Sequence, residues 1–166
     1  MKIYSFEPII NKDCRILILG SMPGAMSLKK QEYYGHPQNK FWDVIYGIFN
    51  EIPDSDYERK KQFLLNHGIA LWDVIEACDR RGSADSAIKN IRLNDFNSLF
   101  IEYPGIICIF LNGRKAENLF NKNFSFPGIK TIYLGSTSPA HAVPMKERIR
   151  DWSAILSNCP VDNMTS

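Results

Sequence analysis

Short runs of consecutive apolar residues alternate along the chain with segments of helical periodicity. Four runs have the length and the Ile, Val and Leu content of buried strands: Arg15–Ser21, Ile69–Val74, Ile106–Asn112 and Ile129–Ser136. Strands that alternate with helices form right-handed crossovers, which give a parallel sheet covered on both faces. The pattern therefore predicts an α/β fold, a three-layer α/β/α sandwich around a central four-stranded, mostly parallel sheet.

Capping residues mark where the helical segments begin. Asn39 is the predicted N-cap of an apolar-faced helix from Phe41, and Ser55 and Glu58 have the spacing of a capping box. Pro144 suits the first turn of the last helix. The polar segment Cys78–Ile88 follows neither period, and we predict a loop there.

Length and composition favour one soluble domain over residues 1–166. The 166 residues are 45% hydrophobic and 23% charged, with a formal net charge of +2. That charge neither requires nor excludes nucleic acid, because a basic face can be balanced elsewhere. No apolar run approaches the roughly 20 residues of a membrane span, and the N-terminus lacks a signal-peptide pattern.

The four cysteines do not suggest a metal site or a disulfide framework. They are Cys14, Cys78, Cys108 and Cys159, and no two form a Cys-x-x-Cys pair. Reduced thiols in a cytoplasmic protein are the expected state.

Three polar, glycine-containing segments directly follow predicted strands. They are Gly20–Gly24, Asn112–Arg114 and Gly135–Ala142. In open α/β sheets the ligand crevice lies beyond the carboxyl ends of the strands. We therefore expect these segments to meet in one pocket.

The segment YYGHPQNKFW, Tyr33–Trp42, is not explained by core packing alone. Together with LGSMPG before it, FLNG in the third strand and STSPAHA late in the chain, it resembles the uracil-DNA glycosylase superfamily, specifically the hypoxanthine (deoxyinosine) DNA glycosylase branch. The order and spacing of these motifs match over nearly the whole chain. The resemblance implies a parallel four-stranded sheet, no metal and no cofactor. It also implies an enzyme that acts on DNA containing deaminated bases and removes the base. Because no lysine is clearly placed as a Schiff-base nucleophile, we expect a monofunctional hydrolase that leaves an abasic site.

The first loop departs from the pattern of many superfamily members, which carry an Asp or Asn there to handle the attacking water. Ser21 and Met22 occupy that loop here, and neither can act as a base. The resemblance implies that Asn39 interacts with the attacking water instead. Asp73 and Asp85, near predicted strand ends, are the alternatives.

The other roles follow from what an extruded nucleotide requires, namely stacking, edge hydrogen bonds and phosphate contacts. Tyr34 and Phe41 are the stacking candidates, with Tyr33 next to them, and Asn112 is the candidate for reading the base edge. Ser21 and Met22 would lie beside the base. The DNA contacts would come from Ser136, Thr137, Ser138, Lys40 and Arg114, and His141 is a catalytic candidate that would contact the extruded base or its phosphate.

Ordinary structural roles compete with these assignments. Phe41 can be core, Asn39 an N-cap, Asn112 a turn residue, and Lys40 and His141 surface. Other functions also stay open: a uracil or mismatch glycosylase of the same superfamily, or a domain that binds nucleotides or damaged DNA without cleaving. A serine hydrolase is disfavoured because no Gly-x-Ser-x-Gly elbow is present. We expect a monomer in the cytoplasm, associated with the nucleoid.

Overall fold

The computed structural model describes residues 2–158. The strands are β1 (Lys2–Tyr4), β2 (Ile16–Gly20), β3 (Ile69–Asp73), β4 (Ile75–Asp79), β5 (Lys89–Leu93), β6 (Cys108–Asn112) and β7 (Lys130–Leu134). The helices are α1 (Ala25–Lys30), α2 (Phe41–Ile48), α3 (Tyr57–Asn66), α4 (Phe96–Glu102), α5 (Arg114–Asn123), α6 (Met145–Trp152) and α7 (Ala154–Asn158).

The central sheet has four strands in the order β3-β2-β6-β7, and every neighbouring pair is parallel. All residues of β2 and β6 are buried, which is why both read as continuous apolar runs. The register pairs Gly20 with Asp73 and Asn112 with Leu134, so the strands end close together at one edge. The predicted fold class is confirmed.

Helices cover both faces of this sheet. Alternate strand residues such as Ile16 and Ile18 pack with α2, α3, α6 and α7. Their neighbours Leu17 and Leu19 pack with α4 and α5 on the opposite face. The alternation follows from the two-residue period of a strand.

A second sheet, which the sequence did not predict, has the antiparallel order β1-β4-β5. The segment Cys78–Ile88 is therefore only partly a loop, because β4 extends through Asp79. The flanking strands β1 and β5 have no buried residue, so they lack the apolar alternation by which a strand is recognised.

Several helix ends differ from the predicted ones. Lys40, not Asn39, is the N-cap of α2. Asp56, not Ser55, caps α3 and accepts a hydrogen bond from the backbone N–H of Arg59. Pro144 precedes α6 as its N-cap residue, so helical geometry begins one position later.

The described residues contain neither a metal-binding cluster nor a membrane-spanning helix. No group of three or more His, Cys, Asp or Glu side chains within residues 2–158 could hold a metal ion. In the same range no helix combines the length and the apolarity that crossing a bilayer demands. Cys14, Cys78 and Cys108 are buried, whereas Cys159 lies outside the described residues.

Candidate active site

A pocket of about 500 Å³ opens at the carboxyl ends of the central strands. All three loop segments predicted to meet there contribute to its wall. The predicted site residues that line it are Ser21, Met22, Tyr34, Asn39, Asn112, Ser136, Thr137 and Ser138. The prediction that these three loops meet in one pocket is therefore confirmed.

The connection between β4 and β5 forms a wall that the sequence did not predict. Ser83, Ala84 and Asp85 line the pocket there. The Ser83 hydroxyl oxygen accepts a hydrogen bond from the backbone N–H of Ala25 at 2.8 Å. The Ser21 hydroxyl donates to Oδ1 of Asp85 at 2.9 Å. This pair brings a carboxylate from a distant segment to the loop that lacks one of its own.

Arg80 fixes this wall to the first loop. Its side chain is buried, and it donates to the carbonyl of Pro23 at 2.5 Å and to that of Gly82 at 2.9 Å. The two bonds hold the β4–β5 connection against the segment that follows β2.

Asn112 ends β6 with every polar group of its amide engaged. Its Nδ2 donates to the Tyr34 hydroxyl and to Oγ1 of Thr137, both at 3.1 Å, and its Oδ1 accepts from the backbone N–H of Thr137 at 3.1 Å. Thr137 is fully buried, so it holds the amide in place rather than reaching solvent. This is a rigid polar floor with a donor side and an acceptor side.

Tyr34 adopts the left-handed conformation, with φ 54°, which is uncommon for a bulky residue. Its ring stacks on Phe41, with centroids 4.1 Å apart, so Phe41 covers one face of the ring. Phe41 is fully buried and does not line the pocket, which corrects its assignment as a direct stacking partner. Burial raises the pKa of Tyr34 well above its usual value, with a further contribution from Asp73, so the hydroxyl keeps its proton.

Tyr33 belongs to the core. It is 3% exposed, meets Phe6 edge to face, and donates its hydroxyl proton to the carbonyl of Glu7 at 2.8 Å. Packing therefore explains this residue of the aromatic segment.

Asn39 has a local structural role that differs from the predicted cap. Its Oδ1 accepts from the backbone N–H of Phe41 at 2.9 Å, a turn typical of Asn. No described residue accepts a hydrogen bond from its amide nitrogen, which is left for water or a ligand. The Lys40 backbone N–H donates to the carbonyl of Thr137 at 3.0 Å, so the late loop and the start of α2 hold each other in position.

The late loop is built from hydroxyl-supported turns. The Ser136 oxygen accepts from the backbone N–H of Ser138, and the Ser138 oxygen accepts from that of Ala140. Both hydroxyl protons remain available to an anion. Arg148, buried on α6, donates to the carbonyls of Ser136 and His141 and fixes both ends of the loop.

Besides Phe41, three predicted site residues do not line the pocket. The Lys40 side chain lies outside it, and His141 is exposed, with Nε2 beside Gly135. The Arg114 guanidinium stacks 3.8 Å from the Tyr133 ring centroid and pairs with Glu117 at 2.7 Å. The structure does not bring His141 or Arg114 to the place where a base would bind.

Asp73 is a buried carboxyl group of the site that lacks a full set of hydrogen-bond partners. It ends β3, is 4% exposed, and its Oδ2 has no hydrogen-bond partner among the described residues. Burial and, to a lesser extent, the charge of nearby Asp85 raise the pKa of Asp73 to about 7, against the opposing effect of Arg80. The negative charge of Asp73 in turn helps to raise the pKa of Tyr33 and of Tyr34. Its only signal in the sequence was a carboxylate at a strand end.

Comparison with known proteins agrees with this geometry. The model of the Uracil DNA glycosylase superfamily matches residues 7–158. A Methanosarcina barkeri protein named hypoxanthine DNA glycosylase is 35% identical over 154 residues, covering 92% of this chain and 97% of the relative. A Methanosarcina acetivorans protein of the same name is 38% identical over 151 residues, covering 90% of this chain and 95% of the relative.

A solved structure resembles the whole fold. The solution NMR structure of a candidate uracil DNA glycosylase from Methanosarcina acetivorans superposes with a TM-score of 0.80 at 35% identity, and the match covers 100% of both chains. The family match spans most of the chain and includes every strand that ends at the pocket. The chain therefore belongs to the uracil DNA glycosylase superfamily.

Proposed function

We propose that this protein is a monofunctional DNA glycosylase that hydrolyses the N-glycosidic bond of deaminated bases in DNA, with hypoxanthine as its first substrate. The observation that carries the proposal is the pocket at the carboxyl edge of the sheet. There a fixed amide, an aromatic ring and small hydroxyls surround a space suited to one extruded base. Two relatives that share more than a third of their residues with this chain are named hypoxanthine DNA glycosylase.

The reaction is a hydrolysis. A water molecule bonds to the anomeric carbon of the sugar while the carbon–nitrogen bond breaks, and the electrons of that bond leave with the base. The proton lost by the water ends on the departing base, so the products are the free base and an abasic sugar. The transition state has oxocarbenium character, as in other glycoside hydrolysis.

Asn39 is the proposed water-positioning residue. An amide cannot act as a general base at neutral pH, but its unpaired nitrogen can orient water or stabilise charge. The anchoring bond to Phe41 fixes its direction. Asp85, linked to Ser21, is the alternative water activator.

The late loop would hold the DNA backbone. Ser136 and Ser138 present hydroxyl protons of the kind that bind phosphate oxygens. The loop is rigid because Arg148 fixes it, and a rigid loop can support an extruded nucleotide. His141, at the end of this loop and outside the pocket, fits a contact with DNA better than one with the base.

The test is a cleavage assay on duplexes that each carry a single inosine or a single uracil. We expect strand breaks only after abasic sites are cleaved with alkali, with inosine cleaved faster than uracil and no loss of activity in a chelator. Faster uracil cleavage would assign the protein to the uracil-specific alternative. Binding without any alkali-sensitive product would instead indicate a damaged-DNA binding domain, and a borohydride-trapped adduct would refute the monofunctional mechanism.

A further inference from the structure

Asp73 lies in the pocket floor with a buried, unpaired oxygen. Buried polar atoms are almost always hydrogen-bonded, so an exception requires an explanation. The described residues place no cation in contact with this carboxyl: Arg80 is directed to the carbonyls of Pro23 and Gly82. A ligand that enters the pocket is the partner that remains.

The surroundings of Asp73 place an acceptor next to donors. A Cβ added to Gly20 would lie 2.7 Å from Oδ1 of Asp73 and 2.8 Å from the Tyr34 hydroxyl. The two oxygens therefore approach the same bare stretch of backbone. The Tyr34 hydroxyl in turn accepts from Nδ2 of Asn112 at 3.1 Å and keeps its own proton to donate. A base edge that reaches this floor meets an acceptor at Asp73 and a donor at the Tyr34 hydroxyl, which the Asn112 amide holds in place.

Deamination exchanges the donor and the acceptor on the base edge, and the exchanged pattern matches the floor of the pocket. Adenine presents an amino donor beside a ring nitrogen that accepts, whereas hypoxanthine presents a carbonyl acceptor beside a ring N–H that donates. The conversion of cytosine to uracil makes the same exchange. A carboxylate acceptor beside the Tyr34 hydroxyl donor complements the deaminated edge. The amino form would place its ring acceptor against the carboxylate and its amino donor against the hydroxyl proton.

We propose that Asp73 accepts a hydrogen bond from the ring N–H that deamination creates, and that it thereby separates deaminated bases from their amino parents. The inference rests on the proposed glycosylase function and adds a specificity-determining residue to it. Sites built to hydrogen-bond a polar group reject an analogue that lacks it, because their own buried groups are left unpaired. In this assignment Asp73 binds the base edge, whereas Asn39, or alternatively Asp85, acts on the attacking water.

The experiment compares two substrates, one with the proposed donor and one without it, by single-turnover cleavage of single-stranded DNA at pH 8, above the pKa of Asp73. One carries inosine and the other 1-deazainosine, in which a C–H replaces the ring N–H and the mobile proton lies on N3 or on the C6 oxygen. The wild type is expected to cleave the deaza substrate about 30-fold more slowly, because that substrate lacks one hydrogen bond to a charged group. Asp73→Leu is expected to cleave inosine more slowly and to bring the two substrates to within about 3-fold of each other, because the two deletions remove the same interaction.

Two further variants keep the result interpretable. Asp73→Asn keeps the shape and one acceptor, so its inosine preference should recover part of the wild-type value. It also replaces Asp73→Leu if the latter fails to fold. Asp85→Asn changes the other pocket carboxylate and should keep the wild-type preference between the two substrates, whatever its effect on rate.

Equal cleavage of the two substrates by the wild type would overturn the inference. So would equal loss on both substrates in the Asp73 variants, which would instead assign Asp73 to general base catalysis. Failure of the proposed function looks different, because the wild type would then cleave neither inosine nor uracil.

Discussion

The two ends of the central sheet both carry concavities, but they differ in chemistry. The one at the amino ends of the strands is larger, about 900 Å³ against about 500 Å³. Its polar side chains pair locally: Gln62 donates to Asn66 at 2.8 Å, and Asn11 accepts from the backbone of Asp13 at 3.1 Å. The carboxyl end instead contains the unpaired carboxylate of Asp73.

This difference teaches that volume does not identify the site. Among the described residues, no residue that lines the amino-end concavity has a buried side-chain polar atom without a hydrogen-bond partner. At the carboxyl end the amide of Asn112 is fixed by residues 25 and 78 positions away, and a buried acceptor is left over. A buried acceptor without a partner destabilises the folded state, and such groups are typical of functional sites. The predictions below should separate the two ends.

The largest expected effect is on stability against pH. In the unfolded chain Asp73 should ionise near pH 4, whereas the folded pKa is about 7. Between these values the folded state holds a proton that the unfolded state has lost, so the free energy of unfolding should fall as pH rises, by up to about 4 kcal/mol. Urea unfolding at pH 5 and pH 8 should show this fall in the wild type and a smaller one in Asp73→Asn. The same fall in both proteins would contradict the prediction.

Asn39→Ala should reduce cleavage of inosine at least 100-fold, about 3 kcal/mol in the transition state, while binding of the abasic product stays nearly unchanged. The loss of the hydrogen bond to Phe41 should cost only about 1 kcal/mol of stability. Asn39→Ser is the matched control, because a serine oxygen can still accept from that N–H. Recovery of activity in Asn39→Ser would show that the anchor, not the amide nitrogen, matters.

Gly20→Ala should reduce cleavage about 100-fold, the scale of loss when a site is displaced by about 1 Å. The new methyl group would press on Asp73 and Tyr34 in the pocket floor. Gly105→Ala is the control at the amino end, where the added Cβ meets the end of the Arg15 side chain and, at 3.1 Å, the carbonyl of Cys14. It should cost stability and leave cleavage unchanged. Equal activity losses would remove the distinction between the two ends.

Arg148→Ala should weaken cleavage of inosine in duplex DNA about 10-fold more than in single strands. Without the guanidinium the Ser136–His141 loop loses two carbonyl contacts, and capturing a paired base costs a few kcal/mol that a single strand largely avoids. Single-turnover rates on both substrates give the ratio. A ratio unchanged from wild type, with only the melting temperature lowered, would mean that the loop merely packs on α6.

The smallest effect is expected at the amino end. Gln62→Ala removes one exposed hydrogen bond to Asn66, and such surface changes usually alter stability by less than about 0.5 kcal/mol. Cleavage of inosine should equal that of the wild type. A clear loss of activity would mean that the larger concavity takes part in function.

The sequence by itself determined the central sheet and the segments that meet at its edge. The runs Ile16–Gly20 and Cys108–Asn112 are buried on both faces, so their apolar character is continuous and can be read without a structure. The polar loops after them had to meet, because parallel strands bring their carboxyl ends together. Asn112 could be placed at the pocket for that reason, and Asn39 through the family resemblance.

Only the tertiary structure decided which polar groups lack partners and which aromatic rings reach the pocket. Tyr33 and Tyr34 are adjacent in sequence and both border the pocket. The Tyr33 hydroxyl is nevertheless bonded to the carbonyl of Glu7, whereas Tyr34, in a left-handed backbone turn, keeps its hydroxyl proton free. The antiparallel sheet left little pattern because its outer strands are not buried. Asp73 and Asp85 looked alike as strand-end carboxylates, and long-range packing buried Asp73 while Asp85 stayed exposed beside Ser21. Burial is a property of the assembled chain, so no local pattern could distinguish them.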